Sequence, residues 1–152
     1  MVVSRAFANV LTDDPATTRD FYVSLLGLTV AFDSDWFVNL TANNPNTEGT
    51  VPTSELGIWR RDHELIPAEF RDLPTGTVLS FIVEDVDAVH AEARRQRLSI
   101  VAEPRDLFYG QRQLLLTDPN GALVDVSTPI EPAPEFTASL VRNGDTIREK
   151  PE

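Results

Sequence analysis

Phe7-Ala8-Asn9-Val10-Leu11-Thr12-Asp13-Asp14-Pro15 and Val78-Leu79-Ser80-Phe81-Ile82-Val83-Glu84-Asp85 are the two stretches whose comparison decides the fold. Each runs from β-branched and aromatic residues into an acidic turn. Each is then followed by helical apolar spacing, through Phe21 and Tyr22 to Gly27 in the first and through Val89 and Ala93 to Arg97 in the second. Placing Asp14 over Asp85 aligns both strand-to-helix junctions. The chain therefore reads as a duplicated module of one strand, a helix and further strands, not as an array of many short repeats. Two such half-sheets can close around one cavity, where a ligand would sit.

Working outward, the spacing predicts a strand over Ser4 to Thr12 and a helix over Pro15 to Leu26, with Gly27 ending it in a left-handed cap. Leu28 to Phe32 and Trp36 to Thr41 read as antiparallel strands joined by Asp33-Ser34-Asp35, Asn43 to Thr53 as a polar mobile loop, and Ser54 to Arg60 as a strand. A linker from Asp62 to Pro74, with a short helix around Pro67 to Phe70, leads to the second half. There the expected elements are a strand at Val78 to Val83, a helix at Val86 to Gln96, and strands at Leu98 to Ala102 and Gln111 to Thr117. Asp118-Pro119-Asn120-Gly121 has the turn chemistry to return the chain as Ala122 to Ser127. The expected division is 1–74 for the first module with its linker, 75–128 for the second, and 129–152 for a tail that is irregular or pinned against a partner.

With 152 residues, 41% of them hydrophobic, the chain suits one domain of two similar halves. No apolar run approaches the roughly 20 residues that span a bilayer, so a soluble, cytoplasmic protein without membrane partners is expected. The lack of Cys removes disulfides, thiolate nucleophiles and Cys-ligated zinc, leaving His, Asp and Glu for any metal. A net charge of −11 argues against nucleic acid, since phosphate binding needs a basic face, and tilts the surface field toward cationic ligands. The Arg60-Arg61 and Arg94-Arg95 pairs read as a solvated strand end and helix face.

The order and spacing of Asp14, Phe21-Tyr22, Leu26-Gly27, Phe81 to Asp87, Gly110-Gln111-Arg112, Thr117 to Gly121 and Val124-Asp125 resemble the vicinal oxygen chelate superfamily. That superfamily includes glyoxalase I, extradiol dioxygenases and the antibiotic-binding resistance proteins. The resemblance implies an α+β fold, two βαβββ modules forming a cupped, mostly antiparallel sheet, often in a homodimer. It also implies that metal-binding members place ligands on the first and last strand of each half. Carried over, those positions are Phe7 and Val78, which cannot ligate, and Glu55 and Asp125, which can. Two carboxylates are a poor site for a transition metal. His90 reads as a helix surface residue, and His63 as a solvated loop residue or one overlooking a cavity. No metal or other cofactor is therefore expected, with a divalent ion on Glu55, Asp125 and His63 as the alternative.

By strand alternation Phe7, Asn9, Glu55, Gly57, Trp59, Val78, Ser80 and Asp125 face one way, and Asn9 and Ser80 offer neutral hydrogen bonds. Trp36, Phe37, Phe108 and Tyr109 add flat apolar area for a planar or cationic ligand, or alternatively fill a core or dimer interface. Arg112 orients an anionic group or forms a structural salt bridge. Glu55 and Asp125, drawn together, would raise one pKa and form an acid–base pair, or would simply bind Arg or a backbone amide. The aromatic-Gly-Gln-Arg run looks most like the metal-free antibiotic-binding or glyoxalase-like branch. The expected function is thus sequestration of a small molecule such as an antibiotic, with a glyoxalase-like lyase or isomerase as the alternative.

Overall fold

The computed structural model describes residues 2–42 and 54–146, with the side chains of helical residues 141–146 excepted. They form two compact units, one of residues 1–78 with 117–123 and the other of 79–116 with 124–152. The loop expected over Asn43 to Thr53 lies outside the described residues.

In the first unit β1 (Ala8–Thr12) leads to α1 (Pro15–Leu26), followed by β2 (Thr29–Asp33), β3 (Phe37–Ala42) and β4 (Ser54–Arg60). The sheet order is β1-β4-β3-β2, with β1 parallel to β4 and the other pairs antiparallel. The Asp14 side chain caps α1 by accepting from the Thr17 backbone N–H at 3.1 Å, Pro15 opens the helix, and Gly27 closes it at φ 66°. One face of the sheet packs Val10, Val38, Leu40, Leu56 and Ile58, all buried, on the side covered by Phe21, Tyr22 and Leu25 of α1.

The turn at 118–121 is built into this unit by a buried polar cluster. Tyr22 Oη donates to Asp118 Oδ2 at 2.9 Å, and Thr12 Oγ1 donates to Asn120 Oδ1 at 2.7 Å. Asn120 Nδ2 in turn donates to Thr18 Oγ1 at 3.1 Å. Burial and the Asp118 charge raise the Tyr22 hydroxyl pKa far above its ordinary value.

The second unit repeats the plan with β5 (Val78–Ile82), α2 (Val86–Arg95), β6 (Ile100–Leu107), β7 (Gln111–Thr117) and β8 (Leu123–Pro129), in the order β5-β8-β7-β6. Asp85 caps α2 through the Ala88 N–H at 3.0 Å. Leu114, Leu116, Val124 and Val126 form its buried face with Val86 and Ala93. The fold is α+β, as expected.

Three boundaries differ from expectation. The first strand begins at Ala8 and not at Ser4, and Arg5, outside the ladder, binds Glu55 through its side chain. The second strand of the second unit, β6, runs on to Leu107, and register shifts on both sides of Ala102 keep Pro104, which has no N–H to give, out of the paired positions. The tail is not irregular: Pro134 opens α3 (Pro134–Thr146), proline being well suited to a first helical position. It is pinned on its own unit, with Ile130 N–H on Gly110 O and Ala133 N–H on Phe108 O, both at 2.9 Å. The Phe136 ring meets Phe108 edge-on at 5.5 Å. No helix among the described residues is long and apolar enough to cross a membrane.

Candidate functional site

Each sheet has a face away from its helix, and there most of the candidate residues lie. On the first sheet, Asn9 and Asn39 lie opposite Gly57, Thr41 opposite Glu55, and Phe37 and Leu11 opposite Trp59. Directly opposed residues share a face, so these side chains form one surface. Gly57 is required by that arrangement: a Cβ there would fall 1.9 Å from Asn9 Oδ1 and 3.3 Å from the Phe37 ring.

A continuous aromatic wall runs across this surface. Phe37 lies 6.1 Å from Phe32 and 5.7 Å from Trp59, Trp59 lies 5.9 Å from Trp36, and the His63 ring stacks on Trp36 at 4.4 Å. His63, partly exposed, is thus part of the wall, its Nδ1 accepting from the Leu65 N–H at 3.2 Å. Trp59 Nε1 is buried without a hydrogen-bond partner among the described residues.

Beside the wall lies a charged cluster. Arg5 grips Glu55 side-on, Nε donating to Oε1 at 2.6 Å and a terminal nitrogen to Oε2, while Asn39 Nδ2 donates to Oε2 at 3.1 Å. The Arg5 guanidinium also lies 4.7 Å from the Phe7 ring centroid. Of the two readings offered for Glu55, an acid–base carboxyl of raised pKa or a partner for Arg, the observed contact is the second. The Arg5 hydrogen bonds, helped by Asn39, outweigh desolvation and hold its pKa below the ordinary value.

On the second sheet the corresponding face is sparser. Ser80 Oγ donates to Asp125 Oδ2 at 3.1 Å, and Ser127 Oγ to Gln111 Oε1 at 2.9 Å. Asp125 Oδ1 is buried without a partner among the described residues. Val78 and Ile82 stand exposed on the edge strand beside Ser80.

Arg112 does not belong to this face. It alternates with Gln111 and Gln113, so it shares the helix side with Leu114, and there it forks onto Asp87 of α2 at 2.9 and 3.0 Å and onto Asp106 at 2.8 Å. It is the structural salt bridge. Phe108 and Tyr109 pack edge-on at 5.4 Å, with Phe108 engaged by α3. His90, expected on the helix surface, is only 19% exposed, because β6 packs over it and brings Glu103 within 4.0 Å of Nε2.

The family's metal positions do not fit a metal here. Phe7 and Val78 offer no donor, Glu55 is neutralised by Arg5, and Asp125 shares an oxygen with Ser80. Among the described residues no three His, Asp or Glu side chains cluster closely enough to hold an ion.

Arg5, Asn39 and Phe32 are the site residues that sequence reasoning missed. Arg5 has no local signal, its partner being 50 residues away. Phe32 reaches the open face only through a register shift, since Val30 opposes Leu40 whereas Phe32 opposes Asn39. In a regular strand two residues so spaced would point the same way.

Comparison with known proteins agrees with this architecture. The family model described as the Glyoxalase/Bleomycin resistance protein/Dioxygenase superfamily matches residues 5–126. A protein of Mycobacterium bovis named "Putative glyoxylase CFP32" is 28% identical over 131 residues, 83% of this chain. The chain spans only 43% of that relative's length. Among solved structures, a glyoxalase/bleomycin resistance protein/dioxygenase family enzyme from Burkholderia phytofirmans superposes with a TM-score of 0.67 at 20% identity, covering 82% of this chain and 97% of the other. A superfamily member from Sphaerobacter thermophilus gives 0.63 at 19% identity, covering 84% and 98%. The chain belongs to the glyoxalase/bleomycin resistance protein/dioxygenase, or vicinal oxygen chelate, superfamily.

Proposed function

We propose that the protein binds a planar small molecule, cationic or carrying a cationic group, against the open face of its first sheet, without a metal and without chemistry. An antibiotic is the physiological ligand that suits this reading. The observation that carries it is the wall of Phe32, Phe37, Trp59, Trp36 and His63, which ends beside Glu55. Aromatic faces stack on flat ligands and attract cations, with cation–π contributions of about 0.5–2 kcal/mol. A net charge of −11 favours cation capture.

Calorimetry against planar cationic drugs, with quenching of tryptophan fluorescence and a resistance assay in a sensitive host, tests this reading. Absence of binding across a broad set together with unchanged sensitivity overturns it. Elemental analysis of protein purified without chelators should find no stoichiometric metal.

An enzymatic reading has one observation in its favour: Asp125 holds a buried carboxylate oxygen, without a partner among the described residues, next to Ser80, the arrangement a proton acceptor needs. Turnover of a hemithioacetal or epoxide that disappears in Asp125→Asn would establish a lyase or isomerase instead. The exposed Val78 and Ile82 of the edge strand β5 support association into a homodimer. Light scattering at micromolar concentration should give twice the chain mass.

A further inference from the structure

We infer that the cluster of Glu55, Asn39 and Phe7 is a subsite for a guanidinium or amidinium group, occupied in the free protein by the chain's own Arg5 and vacated when ligand binds. The inference rests on the planar-ligand reading above and assigns the chemistry of the ligand's charged end.

The geometry selects a flat, delocalised cation. Arg5 presents two adjacent nitrogens to the two oxygens of Glu55, and Asn39 fixes one of those oxygens at 3.1 Å. The Phe7 ring lies 4.7 Å from the guanidinium carbon. A carboxylate fork with an aromatic face matches a guanidinium or amidinium plane, whereas an ammonium is a point charge that cannot use the fork.

The same pair looks displaceable by its exposure. The Glu55 side chain is recessed, 12% exposed, while the Arg5 side chain above it is 58% exposed. Glu55 and Asn39 stand on the paired strands β3 and β4 and Phe7 directly precedes β1, whereas Arg5 lies two residues further out and hangs outside the ladder. Releasing Arg5 therefore gives up its pair with Glu55 and its contact with the Phe7 ring but no backbone pairing, and an ion pair with one partner in solvent is weak.

The route from the charge to the wall is closed by one movable side chain. Gly57 contributes no side chain between Glu55 and Trp59, and the space its Cβ would fill is taken by the Asn9 amide, 1.9 Å away, and bordered at 3.3 Å by Phe37, so a ligand crossing it turns Asn9 aside. A ring bearing an amidinium can pair with Glu55 and extend its plane toward Phe37 and Trp59.

Benzamidine, its neutral isostere benzamide, and benzylamine serve as probes, followed by calorimetry and tryptophan fluorescence on the full chain. Benzamidine should bind more tightly than either analogue. Arg5→Ala should tighten benzamidine by about fivefold, the population factor expected when a competitor holding an exposed ion pair is removed. Arg5→Lys, which keeps the charge but loses the fork, should fall between. Glu55→Gln should reduce benzamidine to the level of benzamide, and circular dichroism on that variant separates lost binding from lost fold.

If benzamidine and benzamide bind alike, or if Arg5→Ala leaves or lowers benzamidine affinity, the guanidinium subsite is refuted while planar binding to the wall stands. If none of the probes or planar drugs perturbs the tryptophans of wild type or of Arg5→Ala, both readings fail together.

Discussion

The two copies of the module share a frame and differ in what fills it. Both place an Asp cap at the start of the helix and an aliphatic layer beneath it, yet α1 is anchored by buried Phe21 and Tyr22 whereas α2 is laced by Glu92, Arg95 and Arg112. Their open faces diverge further. Phe7, Asn9, Glu55, Gly57 and Trp59 in the first copy correspond to Val78, Ser80, Asp125, Ser127 and Pro129 in the second. The buried layer tolerates little change because packing and capping dictate residue type. The open face carries no such demand, and one copy has become aromatic and charged while the other has become small and polar.

The largest expected effect concerns the buried side. Tyr22→Phe removes a buried hydrogen bond to Asp118 that has no counterpart in the second copy. A hydrogen bond to a charged acceptor contributes about 2 kcal/mol, so Tm should fall by roughly 6 °C for a chain of this size. Thermal denaturation that leaves Tm unchanged would mean the turn at 118–121 is not held by this contact.

Next comes the wall itself. Trp59→Ala should weaken a planar aromatic probe about tenfold, equivalent to about 1.4 kcal/mol, whereas Ile82→Ala on the second sheet should leave it unchanged. Equal losses from the two variants would erase the functional distinction between the faces.

How far the sequence reveals this division depends on where the information lies. Both caps, the left-handed Gly27 and the 118–121 turn are local signals, and the duplication is visible because Asp14 and Asp85 stand at equivalent junctions. Glu55, Gly57 and Trp59 follow from strand alternation alone. Alternation with buried Leu114 and Leu116 likewise puts Arg112 on the helix side, but its partners Asp87 and Asp106 are legible only in three dimensions, and Phe32 depends on a register shift that alternation cannot anticipate. Arg5 is legible only in three dimensions. The helix at Pro134 was obscured by Pro129, Pro132 and Pro134, which suggest irregular chain until one of them is recognised as a first helical residue.

A smaller effect is expected at Gly57. In Gly57→Ala the new methyl must push the Asn9 amide aside, which costs little because that side chain can rotate. The methyl also narrows the passage beside Phe37, so planar-ligand affinity should drop about threefold while Tm barely moves. Ser127→Ala, at the matching position of the second sheet, should not alter binding. Calorimetry on the two variants side by side decides whether the glycine serves the ligand or only the packing of Asn9.

The smallest effect tests the charge-laced helix. Hydrogen bonds from Arg95, then from Gln96, hold the Glu92 carboxyl at about 2, below its ordinary 4.5. A pKa depressed in the folded state means the native chain prefers the ionised form, so this stabilisation is complete above pH 4.5 and drains away as pH falls to about 2. Glu92→Gln lacks it at every pH. The variant should therefore melt slightly below wild type at pH 6, and the gap should close as both are taken toward pH 2. Asp14, Glu55 and Asp87, also held low by their partners, steepen both curves alike and cancel in the difference. A gap of constant size from pH 6 to pH 2 would show that Glu92 contributes through helix propensity and not through charge, and the contrast drawn between α1 and α2 would lose its electrostatic half.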